Sequence, residues 1–127
     1  MLEFFLYNTQ RGLIMADVVY INEEEGKNRV LGNVKLYVKL LNRFKTDTNL
    51  DKFAAFVEAQ EWENARIEVH TIKGTAANLS MTELFRQSQD VEAQIKENSL
   101  KSESIESLKL CFAETLAALD KVIAKNE

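Results

Sequence analysis

The 127-residue sequence contains no proline, only four glycines, one cysteine and one histidine. Sheet proteins need many turns, and turns depend on Gly, Pro and Asn, so this shortage disfavours a sheet fold. The single cysteine, Cys111, excludes a disulfide within the chain and makes a reducing cytoplasm the expected location. No apolar stretch reaches the roughly 18 uncharged residues that a transmembrane helix needs, so we expect no membrane span.

Charge and length restrict the function classes further. The net charge of -4, with basic residues spread along the sequence, argues against a nucleic-acid binder. The length fits one domain with one core. The first residues are apolar but lack the basic start of a signal peptide. We expect residues 1–15 to be an N-terminal extension that the fold does not need and that can be disordered, and residues 16–127 to form the domain.

The apolar residues recur at steps of three and four, which is the spacing of one helix face. The clearest stripe lies within residues 61–79, and others occupy residues 27–44, 50–60, 84–95 and 102–124. The first two of these others could form one kinked helix, because no Gly or Pro lies between them. We predict an all-α fold, an antiparallel four-helix bundle with a short N-terminal helix or extension. Its core is expected to include the aromatic residues Phe53, Phe56 and Trp62.

The only histidine, His70, lies in the helix with the clearest stripe. It follows Val69 of that stripe and is therefore rotated about 100° from it, toward solvent or toward the edge of a neighbouring helix. Residues three, four and seven positions away share its face. These residues are Arg66, Lys73, Gly74 and Ala77.

The residue types on this face suit phosphoryl transfer. A neutral imidazole is a nucleophile near neutral pH, and a lysine ammonium can neutralise phosphate oxygens. A mid-helix glycine such as Gly74 costs about 0.5–1 kcal/mol relative to alanine, and close approach of a second molecule would explain it. Each feature also has an ordinary explanation, because surface histidines and lysines are common and helix glycines often mark close helix packing.

Residues 70–79, HTIKGTAANL, resemble the signature of the HPt (histidine-containing phosphotransfer) family. Residues 61–65 resemble the segment that leads into the histidine-bearing helix in the family. Residues 32–44 resemble the family's first long helix. The resemblance extends from about residue 18 to the C-terminus. At the end of the signature the family often has Gly where this chain has Ser80, and we expect the turn to survive that change.

The resemblance implies that His70 accepts a phosphoryl group from the aspartyl-phosphate of a response-regulator receiver domain and passes it on. It implies that Lys73 stabilises the phosphoryl group and that Gly74 opens access to it. Glu92, on the following helix, matches the position of a Gln or Glu that can orient the imidazole through Nδ1. The docking surface around the histidine is expected to include Arg66, Ile67 and Ala77.

The family also implies a carrier rather than an enzyme, without a kinase or ATP site of its own. No G-x-x-x-x-G-K loop is present, and we expect no cofactor. Mg²⁺ would belong to the receiver domain. The expected partners are a receiver domain and a histidine kinase, which can be a hybrid kinase, in a two-component phosphorelay. We expect a cytoplasmic monomer that is a phosphoprotein and binds neither membrane nor nucleic acid.

Other functions stay open at this point. A non-catalytic helical bundle that only binds a partner would keep its function after His70→Gln. A histidine kinase dimerisation domain would pair with a second copy and precede an ATP-binding domain. A metal-binding bundle needs several histidines or Glu-x-x-His pairs, and this chain has one histidine. A cysteine nucleophile is disfavoured because Cys111 adjoins the core residue Phe112.

Overall fold

The structure is a computed structural model, and it describes residues 18–127. The predicted extension over residues 1–15 and the domain boundary after it lie outside these described residues. The described chain forms six helices and no strand, which confirms the predicted all-α class. The helices are α1 (Glu23–Arg29), α2 (Val34–Asp47), α3 (Asp51–Glu58), α4 (Trp62–Asn78), α5 (Thr82–Lys96) and α6 (Ser102–Asn126).

The helices pack in the order that their short connections dictate. α4 packs on α5 and α5 on α6, while α3 packs on α4 and α2 on α6. The pair α2 and α3 therefore closes the bundle between α6 and α4, which gives the four sides of the predicted bundle. The apolar stripes meet in one core, whose fully buried members include Leu41, Phe53, Val69, Leu84 and Leu119.

One of the predicted helices is divided in the structure. The stripe over residues 27–44 is divided, because α1 ends at Arg29 and α2 begins only at Val34. Between them Leu31 and Gly32 take positive φ angles of 56° and 77°, which no helix continues through. The Asn33 side chain then accepts a hydrogen bond from the backbone N–H of Leu36 and caps α2.

The structure also decides between two separate helices and one kinked helix for the next two stretches. Residues 48–50 interrupt the helix, and the Asn49 side chain accepts a hydrogen bond from the N–H of Asp51 at the start of α3. A side chain that bonds its own backbone nearby ends a helix without Gly or Pro. The two stretches are therefore separate helices and not one kinked helix.

The aromatic residues predicted for the core differ in how far they are buried. Phe53 is buried and Phe56 is partly buried against the core. Trp62 is wrong as a core residue, since it is 40% exposed at the start of α4. It borders a small pocket with Ile95, Asn98 and Leu100 at that end of the bundle.

The N-terminal part of the described chain lies across the turn between α4 and α5. The Thr82 hydroxyl donates a 2.6 Å hydrogen bond to the Val19 carbonyl, and the Asn22 N–H donates to the Ser80 carbonyl at 2.8 Å. The short helix α1 begins directly after this segment. Within residues 18–127 no helix is long and apolar enough to cross a membrane.

Candidate functional site around His70

The His70 side chain lies on the outer face of α4 and is 59% exposed. Its neighbours Val69 and Ile72 are buried in the core. This is the orientation that the helical period predicts, because one residue past the stripe is turned about 100° away from it. The ring therefore has one edge toward the bundle and one toward solvent.

The inner edge of the imidazole meets a carboxylate of α5. Glu92 Oε2 lies 2.9 Å from His70 Nδ1, and the Glu92 side chain is only 3% exposed. Burial by itself would raise the pKa of Glu92, but hydrogen bonds from Lys73 and His70 outweigh burial and hold this pKa below its ordinary value. An ionised carboxylate can only accept hydrogen bonds, so His70 Nδ1 is the donor. In the neutral ring, Nε2 then carries the lone pair.

Three cationic side chains surround the Glu92 carboxylate. Lys73 Nζ lies 2.7 Å from Oε1, while Arg66 Nη1 and Lys96 Nζ lie 3.5 and 3.7 Å from Oε2. A buried charge is tolerated when it is paired and hydrogen-bonded, and these cations together with the His70 N–H meet that condition. Lys73 comes from the same face of α4 as His70, and Lys96 lies one turn after Glu92 on α5.

The surface beside His70 has little side-chain bulk. Apart from the two adjoining residues and the backbone of its own helix, a Cβ atom added to Gly74 would meet no atom of the described chain within 4 Å. Close packing against another helix is therefore not the reason for this glycine. Ile67 is 46% exposed and Ala77 is half-buried on the same helix. Ala77 also borders a depression of about 230 Å³ between α1, the end of α4 and the start of α5, where Met81 and Phe85 supply apolar surface and Glu25 and Arg29 supply charge.

Arg66 takes a position that the sequence did not indicate. Its Nε and Nη2 donate hydrogen bonds of 2.9 and 2.7 Å to the two carboxylate oxygens of Glu63, and only Nη1 faces Glu92. The guanidinium is therefore engaged along the surface of α4 instead of projecting freely. Arg66 lies on the same face of α4 as His70, but its side chain contacts the Glu63 and Glu92 carboxylates.

Two members of the cluster, Glu63 and Lys96, were missed in the sequence. Both form pairs at helical spacing, Glu63 with Arg66 and Lys96 with Glu92. Charges of opposite sign three or four residues apart on a helix are the signal that could have found them. What that signal lacks is the contact between α4 and α5 that joins the two pairs.

Among residues 18–127 no group of three or more His, Cys, Asp or Glu side chains is arranged to hold a metal ion. Cys111 is buried, and burial raises the pKa of its thiol above the ordinary value. Its sulfur lies 3.9 Å from the Thr115 hydroxyl inside the core, away from the His70 face.

The family model described as Hpt domain matches residues 40–122 of the chain. The match begins within α2 and ends within α6, so it includes His70 and the whole ion-pair cluster around Glu92. Searches of curated proteins and of solved structures found no match.

Proposed function

Since this chain belongs to the Hpt domain family, whose members are histidine phosphotransfer modules of phosphorelays, we propose that His70 is its phosphoryl-accepting residue. The family interacts with receiver domains and histidine kinases. In this proposal a receiver-domain aspartyl-phosphate is the donor, and a second receiver domain is the next acceptor. The two-component phosphorelay is the pathway class in which such a carrier acts.

The observation that carries the proposal is the pairing of His70 Nδ1 with the Glu92 carboxylate. With Nδ1–H donating to Glu92 at 2.9 Å, the lone pair lies on Nε2 at the exposed side of the ring. Nε2 forms the new P–N bond as the P–O bond to the donor aspartate breaks, and the electron pair of that bond returns to the aspartate carboxylate. The Nδ1 proton stays on the ring, and Glu92 balances the positive charge that the ring gains.

Lys73 is proposed to stabilise the phosphoryl group. Its ammonium lies one turn from His70 and is already held 2.7 Å from Glu92 Oε1. Phosphoryl transfer depends on positioning and on neutralising the phosphoryl oxygens, and a lysine can supply the second as a point charge. Lys73 would therefore contact the transferred group, while Glu92 would contact the ring and not the phosphoryl group.

Gly74 and its neighbours support docking of a receiver domain over His70. The open space at the Gly74 Cα lets the receiver domain approach His70. Exposed Ile67 and half-buried Ala77 offer apolar contacts before and after His70 on the same helix. Transient contacts of this kind are of modest area, so we expect weak binding.

The chain acts in this proposal as a carrier module and not as a kinase. It needs no cofactor of its own, and Mg²⁺ is required on the receiver domain for transfer. We further propose that it acts in the cytoplasm as a monomer, because a monomeric bundle leaves the His70 face open.

The test is phosphotransfer from a labelled, phosphorylated receiver domain to the purified chain in the presence of Mg²⁺, beside a His70→Gln variant. Acid-labile, base-stable label on the wild type and none on the variant is the expected result, with circular dichroism showing that both are folded. Label on the variant would refute the assignment, because His70 is the only histidine. Failure of several receivers to label the wild type would favour a bundle that only binds partners.

A further inference from the structure

Three cationic side chains lie near the Glu92 carboxylate, but only one of them lies within 3 Å of a carboxylate oxygen. Lys73 lies 2.7 Å away, whereas Arg66 and Lys96 lie at 3.5 and 3.7 Å. Arg66 and Lys96 help to balance the buried charge, but neither is its closest partner in this arrangement. Both are therefore available to move closer to Glu92 if Lys73 is drawn away.

A phosphoryl group on His70 would change the demand on Lys73. The group carries close to two negative charges and three acceptor oxygens. Lys73 lies one turn from the ring and has a single ammonium, so the phosphoryl oxygens compete with Glu92 for it. If Lys73 turns to the phosphoryl group, a carboxylate that is 3% exposed loses its shortest ion pair. A buried carboxylate without a cation tends to leave its site or to take up a proton.

On the premise that His70 is phosphorylated, we propose that Arg66 is a positioning residue that holds the Glu92 carboxylate against His70 Nδ1 when the phosphoryl group draws Lys73 away. Arg66 then acts on the phosphorylated ring through Glu92 and does not need to touch the phosphoryl group. The ion pair is exchanged within the cluster, with Arg66 replacing Lys73 as the principal cation of Glu92.

Arg66 is better placed for this role than Lys96. Its guanidinium is fixed by two hydrogen bonds to Glu63, which leaves Nη1 directed at Glu92 Oε2. The Arg66 side chain is 27% exposed, while the Lys96 side chain is 58% exposed and stays well solvated. A fixed planar fork loses less conformational freedom on tightening a contact than a solvated lysine does.

The chain offers a direct readout, because its single histidine gives one set of imidazole signals. The exchange rate of the Nδ1 proton would be measured by nitrogen-15 NMR, before and after phosphorylation with phosphoramidate. The P–N bond of phosphoramidate breaks as the bond to His70 Nε2 forms, and its nitrogen leaves as ammonia with the electron pair of the broken bond. A small-molecule donor keeps this experiment independent of receiver domains. It can therefore fail while receiver transfer succeeds, or succeed where no receiver is found.

Arg66→Gln is expected to leave proton exchange unchanged in the unphosphorylated protein, where Lys73 still holds Glu92. In the phosphorylated protein it should speed exchange by about fivefold, the low end of typical coupling between two sites. Arg66→Lys should restore part of the protection, and Lys96→Gln, the matched control on the same carboxylate, should behave as the wild type. The proposal is overturned if Arg66→Gln changes both states equally or neither, or if Lys96→Gln has the same effect.

Discussion

Gly74 lies in α4, where a Cβ atom would meet nothing within 4 Å in the described chain apart from the adjoining residues and the backbone of its own helix. Alanine should therefore fit without strain and favour the helix. We predict that Gly74→Ala raises the free energy of unfolding by about 0.5–1 kcal/mol, the usual difference between these residues in a helix. The same methyl group would lie one turn from His70 on the same face of α4, where a receiver domain approaches, so we predict slower phosphotransfer. Urea unfolding and receiver-domain transfer assays measure the two effects.

The matched control for this substitution is Gly26→Ala in α1. A Cβ atom there would lie 2.5 Å from the Tyr37 ring, so alanine must displace that buried side chain or the helix. The change should destabilise the protein by about 1–3 kcal/mol, as overpacking usually does. If Gly74→Ala lowered stability as Gly26→Ala should, or left phosphotransfer unchanged, access to His70 would not be the reason for Gly74.

Ser80, which stands where the family often has Gly, follows α4 with a φ angle of 58°. It is 3% exposed, and among the described residues its hydroxyl has no hydrogen-bond partner. The left-handed conformation and the buried hydroxyl each cost free energy that glycine would avoid, although glycine loses more entropy on folding. We predict that Ser80→Gly stabilises the protein by about 1 kcal/mol, measured by urea unfolding.

A control separates the two contributions at Ser80. Gln60 has nearly the same φ angle, 59°, but it is exposed. Gln60→Gly therefore reports the conformational effect without a buried hydroxyl. If Ser80→Gly raises the free energy of unfolding no more than Gln60→Gly does, the Ser80 hydroxyl has a hydrogen-bond partner in solution.

At the scale of helices, the sequence predicts elements better than it predicts their ends. The long helices α4 and α6 were predicted from unbroken apolar stripes, and their ends in the structure lie within two residues of the ends of those stripes. The break between α1 and α2 was missed because Val30 keeps the period of the next helix, although Leu31 and Gly32 turn the chain between them. The spacing of apolar residues indicates which side of a helix faces the core. A turn does not interrupt that spacing when the same side faces the core before and after it.

The candidate site shows the same limit in its contacts. The period of α4 alone places His70 outside the core and Lys73 on its face. It does not reveal that Glu92, on the next helix, lies 2.9 Å from the ring. That contact depends on the axial register of α4 against α5, which core packing sets and which a period cannot specify. The resemblance to the HPt family indicated Glu92, because it implies a Gln or Glu at this position, but it indicated neither Glu63 nor Lys96.

At the scale of the whole molecule, the first and last described helices are joined by one carboxylate. Glu23 of α1 lies 2.7 Å from Lys125 near the end of α6 and 2.7 Å from Lys27 of its own helix. Hydrogen bonds from Lys125 and then Lys27 lower the pKa of Glu23 to about 2. A helix of seven residues is marginal by itself, so this link helps to keep α1 on the bundle.

The ion pairs of Glu23 predict how stability depends on pH. A carboxyl whose pKa is lower in the folded chain than in the unfolded chain stabilises the fold above its unfolded pKa, near 4.3. That contribution is lost as pH falls from there toward about 2, the folded value for Glu23. Glu92, with a lowered pKa of its own, adds to the loss in the same direction. We predict that the free energy of unfolding falls steeply across this window.

Glu23→Gln should remove part of this pH dependence. The variant should lose about 1 kcal/mol at pH 7, where a partly exposed ion pair contributes modestly, and its unfolding free energy should fall less between pH 5 and pH 2 than the wild type's. Glu24→Gln is the matched control, because it removes the same charge from the same helical turn at an exposed position. Urea unfolding across the pH series measures all three proteins. Parallel curves for Glu23→Gln and the wild type would show that the ion pair to Lys125 does not persist in solution, and that α1 is held by its packing on Tyr37 and by the hydrogen bond from Asn22 to Ser80.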